Sequence, residues 1–428
     1  MDYKQLAQEQ EEYVISMRRQ FHEHPEVSWK EDWTIAHIAQ ELTTYGISYV
    51  EVPNGGIFAF LGNSSKGKTV LLRGDVDALP GKESPVNAGG RPKAVVSQND
   101  AASHTCGHDA HTAMLLGAAR VLKAHEDEIP GQVVCMFERG EESGGNIAYL
   151  LRWAYENDLH VDTSFAMHGF PEVPVGKVAL CTGTAMAGNL VFQVKLTGKT
   201  AHGSQPSEGT NPIDCFTAIV NTLQTIRMRY INAQHTSAFS LGTVHAGNAA
   251  NIIPAELTFA GGFRFSDVED GITIKEHLVD TLEKTAEIYG CKAEYSITGP
   301  MLPCRNDPAC TEFARQILKN TFGKQVLMDI PSMMGSDTNG LTQSVWPGVY
   351  MFLGIGNEGK GMTAKIHHEC FEPDEDALAI GVACHLAYAL EFMKNGPETS
   401  SRIFGGDLRE YYQKNAPWAL MAYQDGIL

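Results

Sequence analysis

The sequence has no basic cluster, no short-period repeat and no low-complexity tract. Positive charge is scarce: 33 Lys+Arg face 51 Asp+Glu, for a formal charge of −18. A chain this acidic repels phosphate backbones and anionic lipid, which sets nucleic acid and membrane surfaces aside as partners. Long apolar runs are lacking too. The most apolar tract, Ala377 to Met393, is cut by His385 and Glu391 and reads as a buried helix, not a bilayer span. The first residues are polar (Asp2, Lys4, Glu9, Glu11, Glu12), without the apolar core of a signal peptide. Nine cysteines are odd in number and scattered, so no disulfide framework is expected. They read as reduced thiols in a cytoplasm.

What is present suits two domains. The chain has 428 residues, 43% hydrophobic and 20% charged, enough for a sizeable core. One helix is expected near the start, where Leu6, Tyr13, Val14, Met17 and Phe21 fall at helical spacing, and Pro25 closes it. A second helix is expected over Trp33–Tyr45. Strand-like runs follow at Ile47–Val52, Ile57–Leu61 and Val70–Arg73, then a loop from Gly81 to Ser103. A helix from Asp109 to about Glu126, a strand Gln132–Phe137, a helix Ile147–Tyr155 and a strand Ser164–Met167 continue the alternation. Such alternation predicts an α/β fold with a mixed, mostly parallel sheet covered by helices.

Near Ala187 the texture changes. Strand, helix, strand, strand, helix, strand, from Asn189 to Thr298, is the split βαβ, ferredoxin-like order. The pattern predicts a discontinuous larger domain, residues 1–186 and 299–428, with an α+β module inserted at 187–298. The tail after Thr399 reads as less regular, with several aromatics.

Chemistry-bearing residues collect where sheet strands end. Cys106 and His108 flank Gly107 at a loop-to-helix junction, and a thiolate and an imidazole there suit zinc or another late first-row cation. Alone, such a pair is more often a core cysteine beside a surface histidine. His111, one turn on along the same helix face, reads as a packing residue or as one that supports a ligand from behind. Glu141 and Glu142 follow a strand, where open α/β sheets keep their sites. One can hold a metal while the other acts as a base. An acidic loop face is the commoner meaning of a lone pair. Asp77, at the end of another strand, can accept the spare N–H of a ligating histidine. His168 ends a strand, and His367 and His368 precede the last helix. Together these exceed what one metal needs and point to two metals sharing a bridging group.

These motifs, in this order, resemble the metal-dependent amidohydrolases of the aminoacylase and carboxypeptidase family, nearest the hippurate and indole-acetyl-amino-acid hydrolase branch. The resemblance runs through Phe21-His-Glu-His-Pro-Glu26, Leu72-Arg-Gly-Asp-Val-Asp-Ala-Leu-Pro80, Cys106-Gly-His-Asp-Ala-His111, Glu141-Glu142, Val244-His-Ala-Gly247 with Asn251-Ile-Ile-Pro254, and His367. It implies a zinc-peptidase-like catalytic domain with an inserted lid that also pairs two protomers. It implies two divalent ions per chain (Zn, Mn, Ni or Co), bridged by Cys106. His108 and His168 would hold one, Glu142 and His367 the other, with Glu141 as general base. His202, in Gly198-Lys-Thr-Ala-His202, would polarise the substrate carbonyl, often across the dimer. Asn251 and Arg264 would meet the substrate carboxylate or backbone. The implied reaction is hydrolysis of the amide of an N-acyl amino acid; peptides with a free amine are the rival substrates, and a non-catalytic metal-binding scaffold is the rival role. Two stretches depart from the family: Glu138-Arg139-Gly140 replaces Gln-Pro-Ala, and Gly335-Ser336-Asp337-Thr338 only loosely matches Ser-Glu-Asp-Phe.

Overall fold

The computed structural model describes residues 1–399 and 406–424. Its central eight-stranded sheet is ordered Ser48–Val52, Gly56–Gly62, Gln132–Glu138, Thr69–Asp75, Thr163–Pro174, Gly348–Gly356, Val178–Ala179 and Leu327–Met328. From Gln132–Glu138 to Gly348–Gly356 the strands run parallel. Antiparallel pairs flank them. Every residue of Thr69–Asp75 is buried, so the strand reads as a continuous apolar run ending in charge.

Helix His108–Ala124 packs against Glu11–Glu23 and Leu378–Asn395 over one face of the sheet. The approach is close: a Cβ on Gly117 would lie 2.5 Å from Val14 Cγ2. The segment Glu375–Asn395 is long and apolar enough to cross a membrane, but 78% of it is buried inside the fold. Its apolar surface is therefore core surface. Residue-level boundaries shift in several places. The expected first helix is two, Tyr3–Gln8 and Glu11–Glu23. The break lets the first turns pack on Leu378–Asn395 while the second helix packs on His108–Ala124. Within the tail, residues 400–405 and 425–428 lie outside the described residues, and 406–424 are more regular than their sequence implies. Leu408–Asn415 and the 3-10 segment Pro417–Tyr423 bury Leu408, Tyr412, Ala416, Ala419 and Ala422 against helix Ile147–Glu156. Trp418 Nε1 then donates to the Pro300 carbonyl at 2.9 Å.

A second sheet, antiparallel, is ordered Ser237–Ala246, Glu256–Phe265, Gly188–Thr197, Lys292–Met301. This is the strand order of a split βαβ unit. Leu190, Phe192, Val194 and Leu196 alternate inward. They meet Ile219 and Leu223 of helix Pro212–Arg229, and Ile274 and Leu278 of Val268–Ile288, in a core of their own. The chain enters through Met186 and leaves through Met301, which pairs with Asn189.

Candidate metal centre

The site is built where the parallel strands end. Gly107, at φ +95°, turns the chain into helix His108–Ala124, a backbone shape that favours glycine. Cys106 is thereby set just before the helix and His108 in its first turn. His108 Nδ1 donates to Asp77 Oδ1 at 3.1 Å, which leaves Nε2 free. Asp77 Oδ2 accepts from the Glu142 amide at 3.0 Å and from Ser28 Oγ at 2.6 Å. Asp77 therefore orients two candidate ligands at once. His111 has no nitrogen to spare: Nδ1 donates to Asp75 Oδ1 at 2.6 Å, and Nε2 accepts the Gly169 amide at 2.8 Å. Both ring nitrogens are thus spent on Asp75 and on the amide next to His168.

His168 does not end its strand. Thr163–Pro174 continues past it, paired only with Gly348–Gly356. Pairing with Thr69–Asp75 stops at Ala166, and hydrophobic periodicity cannot reveal where a neighbour stops. His168 stands at that freed edge. Its Nδ1 donates to the Gly169 carbonyl at 2.8 Å, turning Nε2 toward Cys106. Cys106 Sγ lies 3.4 Å from His168 Nε2 and 3.3 Å from His367 Nε2. His367 Nε2 and His108 Nε2 approach Glu142 Oε1 to 3.3 and 3.9 Å. Four donor sets result among the described residues: Cys106–His108–His168 and Cys106–Glu142–His367 share Cys106, and Asp75–His108–His111 and His108–Glu141–Glu142 share His108. His367 holds a left-handed backbone at φ +66°, which a non-glycine residue adopts only under tertiary constraint. Its amide donates to the Thr105 carbonyl at 2.8 Å. His368 accepts the Cys370 amide on its own Nδ1 and belongs to none of these sets.

The donors fit cations. His108 Nε2 and Glu142 Oε1 are buried without a hydrogen-bond partner, a costly state unless something positive sits between them. Burial pushes the Cys106 thiol well above its usual range, and the neighbouring Glu142 and Glu141 push the same way. A thiolate here calls for cationic charge. Burial lowers His168 to about 4, so its imidazole is neutral and able to ligate.

Glu141 lies beside the two sets that share Cys106, and its Oε1 accepts the Thr338 amide at 3.0 Å. Burial, then Asp337 and Glu142, raise its pKa well above the carboxylate range. Arg73 opposes this from a buried cluster, bonded to Glu138 at 2.8 Å, to Asp75 at 2.7 Å and to Asp337 at 3.2 Å. Arg139 points away from the centre, to Glu31 and Asp32, each at 3.0 Å.

The centre opens into a cleft of about 420 Å³. Arg264 lines it, with Nη1 bonded to Ser336 Oγ at 2.9 Å and no carboxylate in salt-bridge reach among the described residues. Asn189 donates to the same Ser336 oxygen at 2.7 Å. Met186, Met301 and Met333 also line the cleft. Sequence reasoning missed these, because methionine has no positional signature. His202 and Asn251 are exposed and do not line the cleft in this chain. His202, on a two-residue strand, bonds Ser204 Oγ at 2.7 Å, and the Asn251 carbonyl accepts the Gly203 amide at 2.8 Å.

Comparison with known proteins agrees with this geometry. Thermostable carboxypeptidase 2 of Saccharolobus solfataricus is 33% identical over 91% of this chain and 98% of its own length. IAA-amino acid hydrolase ILR1-like 4 of Arabidopsis thaliana is 29% identical over 89% of this chain and 86% of its own. The crystal structure of the Bacillus subtilis YxeP protein, a dinuclear metal binding peptidase from the M20 family, superposes with a TM-score of 0.72. It is 27% identical and covers 90% of this chain and 98% of that one. The family model for peptidase family M20/M25/M40 matches residues 71–391. That stretch carries the five candidate donors and Glu141, and the chain belongs to peptidase family M20/M25/M40.

Proposed function

We propose that the protein is a dimetal amidohydrolase that cleaves the amide joining an acyl group to an amino acid. The observation that carries this is the pair of donor sets sharing Cys106, with Glu141 beside them and one carboxylate-free guanidinium, Arg264, in the same cleft. In this reading His108 and His168 hold one ion, Glu142 and His367 the other, and Cys106 both. When bound, the two cations supply Lewis-acid charge that makes water a nucleophile near neutral pH.

The chain's own residues do the rest. The Thr338 amide fixes Glu141 Oε1, so the carboxylate meets the reacting water in one orientation. Glu141 takes the water's proton and hands it to the leaving amine. Positive charge in the centre counters the burial that raises this carboxylate's pKa, keeping it a base. Arg264 receives the carboxylate of the amino-acid half, a charge-assisted contact that fixes the scissile amide.

His202 acts from the partner subunit of a homodimer formed through the inserted module, where it polarises the carbonyl and Asn251 meets the substrate. Its exposure, away from the cleft of its own chain, supports this arrangement. Residues 187–298 serve as the lid. Nine unpaired thiols support the cytoplasm as the compartment.

The test is a substrate panel on metal-replete protein with metal content measured. N-acyl amino acids should be hydrolysed, with two metals per chain. Hydrolysis of unblocked dipeptides alone would replace this reading with a peptidase.

A further inference from the structure

The loop that carries the paired glutamates has little rigidity of its own. Gly140, Gly144 and Gly145 hold φ at +64°, +68° and +110°, and glycine restrains a backbone least. Within the loop, the Gly144 amide donates to the Glu141 carbonyl at 3.1 Å. Around Gly144 and Gly145 the support comes from three remote segments. A Cβ on Gly144 would stand 3.5 Å from Met301 Cε, at the end of the inserted module's last strand. A Cβ on Gly145 would stand 3.5 Å from Trp29 Cζ2 and 2.8 Å from Met421 Sδ in the tail. Trp29 Nε1 also donates to Ser143 Oγ at 2.8 Å.

The tail lies beyond residue 391, where the family match ends. Its anchoring and its reach belong to different residues. Leu408, Tyr412, Ala416, Ala419 and Ala422 are buried with helix Ile147–Glu156 and hold the segment down. Trp418 and Met421 are only half-buried and reach in two directions. Trp418 Nε1 donates to the carbonyl of Pro300, the neighbour of Met301. Met421 backs Gly145. The segment Pro417–Tyr423 therefore touches both the strand by which the inserted module rejoins the larger domain and the loop of Glu141 and Glu142. Neither Trp418 nor Met421 lines the cleft, so both act through what they hold.

We infer that Met421 and Trp418 are positioning residues of the hydrolytic site: from the tail, they hold the Glu141–Glu142 loop and the returning strand of the inserted module against each other. This rests on Glu141 as the base, the reading given above.

The experiment uses the metal-loaded full chain, with the substrate turned over fastest in the panel, and reads steady-state kinetics and amide hydrogen exchange. Met421→Ala empties the space behind Gly145 and leaves the tail's anchors in place. It should lower kcat by ~10–100-fold, the scale of loss when a reacting group moves by about an ångström. KM and metal content should stay near those of the parent, and exchange over residues 141–147 should rise. Met421→Leu keeps the volume and should restore most of kcat. Trp418→Phe removes the bond to Pro300 and keeps an aromatic ring, and exchange over residues 296–301 should rise. Leu318→Ala opens a cavity in a separate apolar cluster and serves as the reference for lost stability alone. It should lower the urea midpoint and leave kcat as it is. Parent-like kcat and exchange in Met421→Ala overturn the inference, as does a loss of kcat that Leu318→Ala or Met421→Leu reproduces. Unchanged exchange in Trp418→Phe removes Trp418 from it. If the parent protein hydrolyses no N-acyl amino acid, the function proposed above fails, and exchange over the two stretches still decides what the tail holds.

Discussion

Thr338 and Glu138, 200 residues apart in the chain, are joined by a hydrogen bond from the Thr338 hydroxyl to Glu138 Oε1. They belong to the two stretches, Glu138-Arg139-Gly140 and Gly335-Ser336-Asp337-Thr338, that the resemblance marked out, and the two stretches meet in space. Glu138 Oε2 is held by Arg73 Nε at 2.8 Å, and the Thr338 amide holds Glu141. Thr338 therefore braces a buried carboxylate with its side chain and the candidate base with its backbone. Thr338→Val removes the hydroxyl's bond to Glu138 and the one it accepts from Arg73 Nη2 at 3.1 Å, and keeps the amide contact to Glu141. Leaving a buried carboxyl oxygen and a buried guanidinium N–H without that partner costs ~1–3 kcal/mol, so the urea midpoint should fall. Metal content should be unchanged. An unchanged midpoint would show that the hydroxyl contributes nothing.

Much of this was legible in the sequence, for identifiable reasons. Strand Gln132–Glu138 and helix His108–Ala124 fall close to where their patterning places them, because both are buried nearly all round in the core. The five candidate donors were named from the resemblance, and they stand within reach of one another in the structure. The local path of the strand at His168 was not legible, since it depends on where a neighbouring strand stops. The direction of Arg139 depends on Glu31 and Asp32, more than a hundred residues earlier. The tail shows only scattered aromatics, yet Tyr412 is fully buried because helix Ile147–Glu156 offers it an apolar face.

Glu141→Gln keeps the shape of the side chain and removes its basicity. Turnover should fall by ~10²–10⁴-fold, the range for losing a positioned general base. Metal content, measured by emission spectrometry, should remain that of the parent protein. Retention of most of the turnover would remove Glu141 from the base role.

Asp77 tests the shell around the metals. It accepts from His108 Nδ1, from the Glu142 amide and from Ser28. Asp77→Ala frees the His108 ring to rotate and to change tautomer. Metal affinity, measured by chelator competition, should weaken by ~10–100-fold. Parent-like affinity would mean that neither ligand depends on Asp77 for its orientation.

Stability should respond to acid through Glu83, which lies outside the metal centre. Burial alone would raise its pKa. The hydrogen bond from His22, the contact with Lys93 and the Ser97 amide outweigh that and hold it at about 2. A carboxylate depressed from 4.5 contributes stability that is complete above the unfolded value and is lost as pH falls toward 2. In metal-free protein, Glu83→Gln should shrink the stability difference between about pH 6 and about pH 3 by ~2 kcal/mol in urea unfolding. An identical pH dependence in parent and variant would show that Glu83 titrates normally.

His202 carries the prediction that depends most on assembly. It is exposed, bonded to Ser204, and absent from the cleft of its own chain. If it polarises the carbonyl across a dimer, it acts in the transition state, and His202→Ala should lower kcat by ~10²–10³-fold with metal content intact. A solvated loop histidine would leave kcat alone, so that result would end the assignment. Mixing separates the two remaining arrangements. In a heterodimer of His202→Ala and Glu141→Gln chains, one site has an intact Glu141 and receives His202 from the other chain. Activity should then reappear in proportion to the heterodimer formed. Mixtures that exchange subunits, as followed by differently tagged chains, but remain inactive would place His202 in the service of its own protomer.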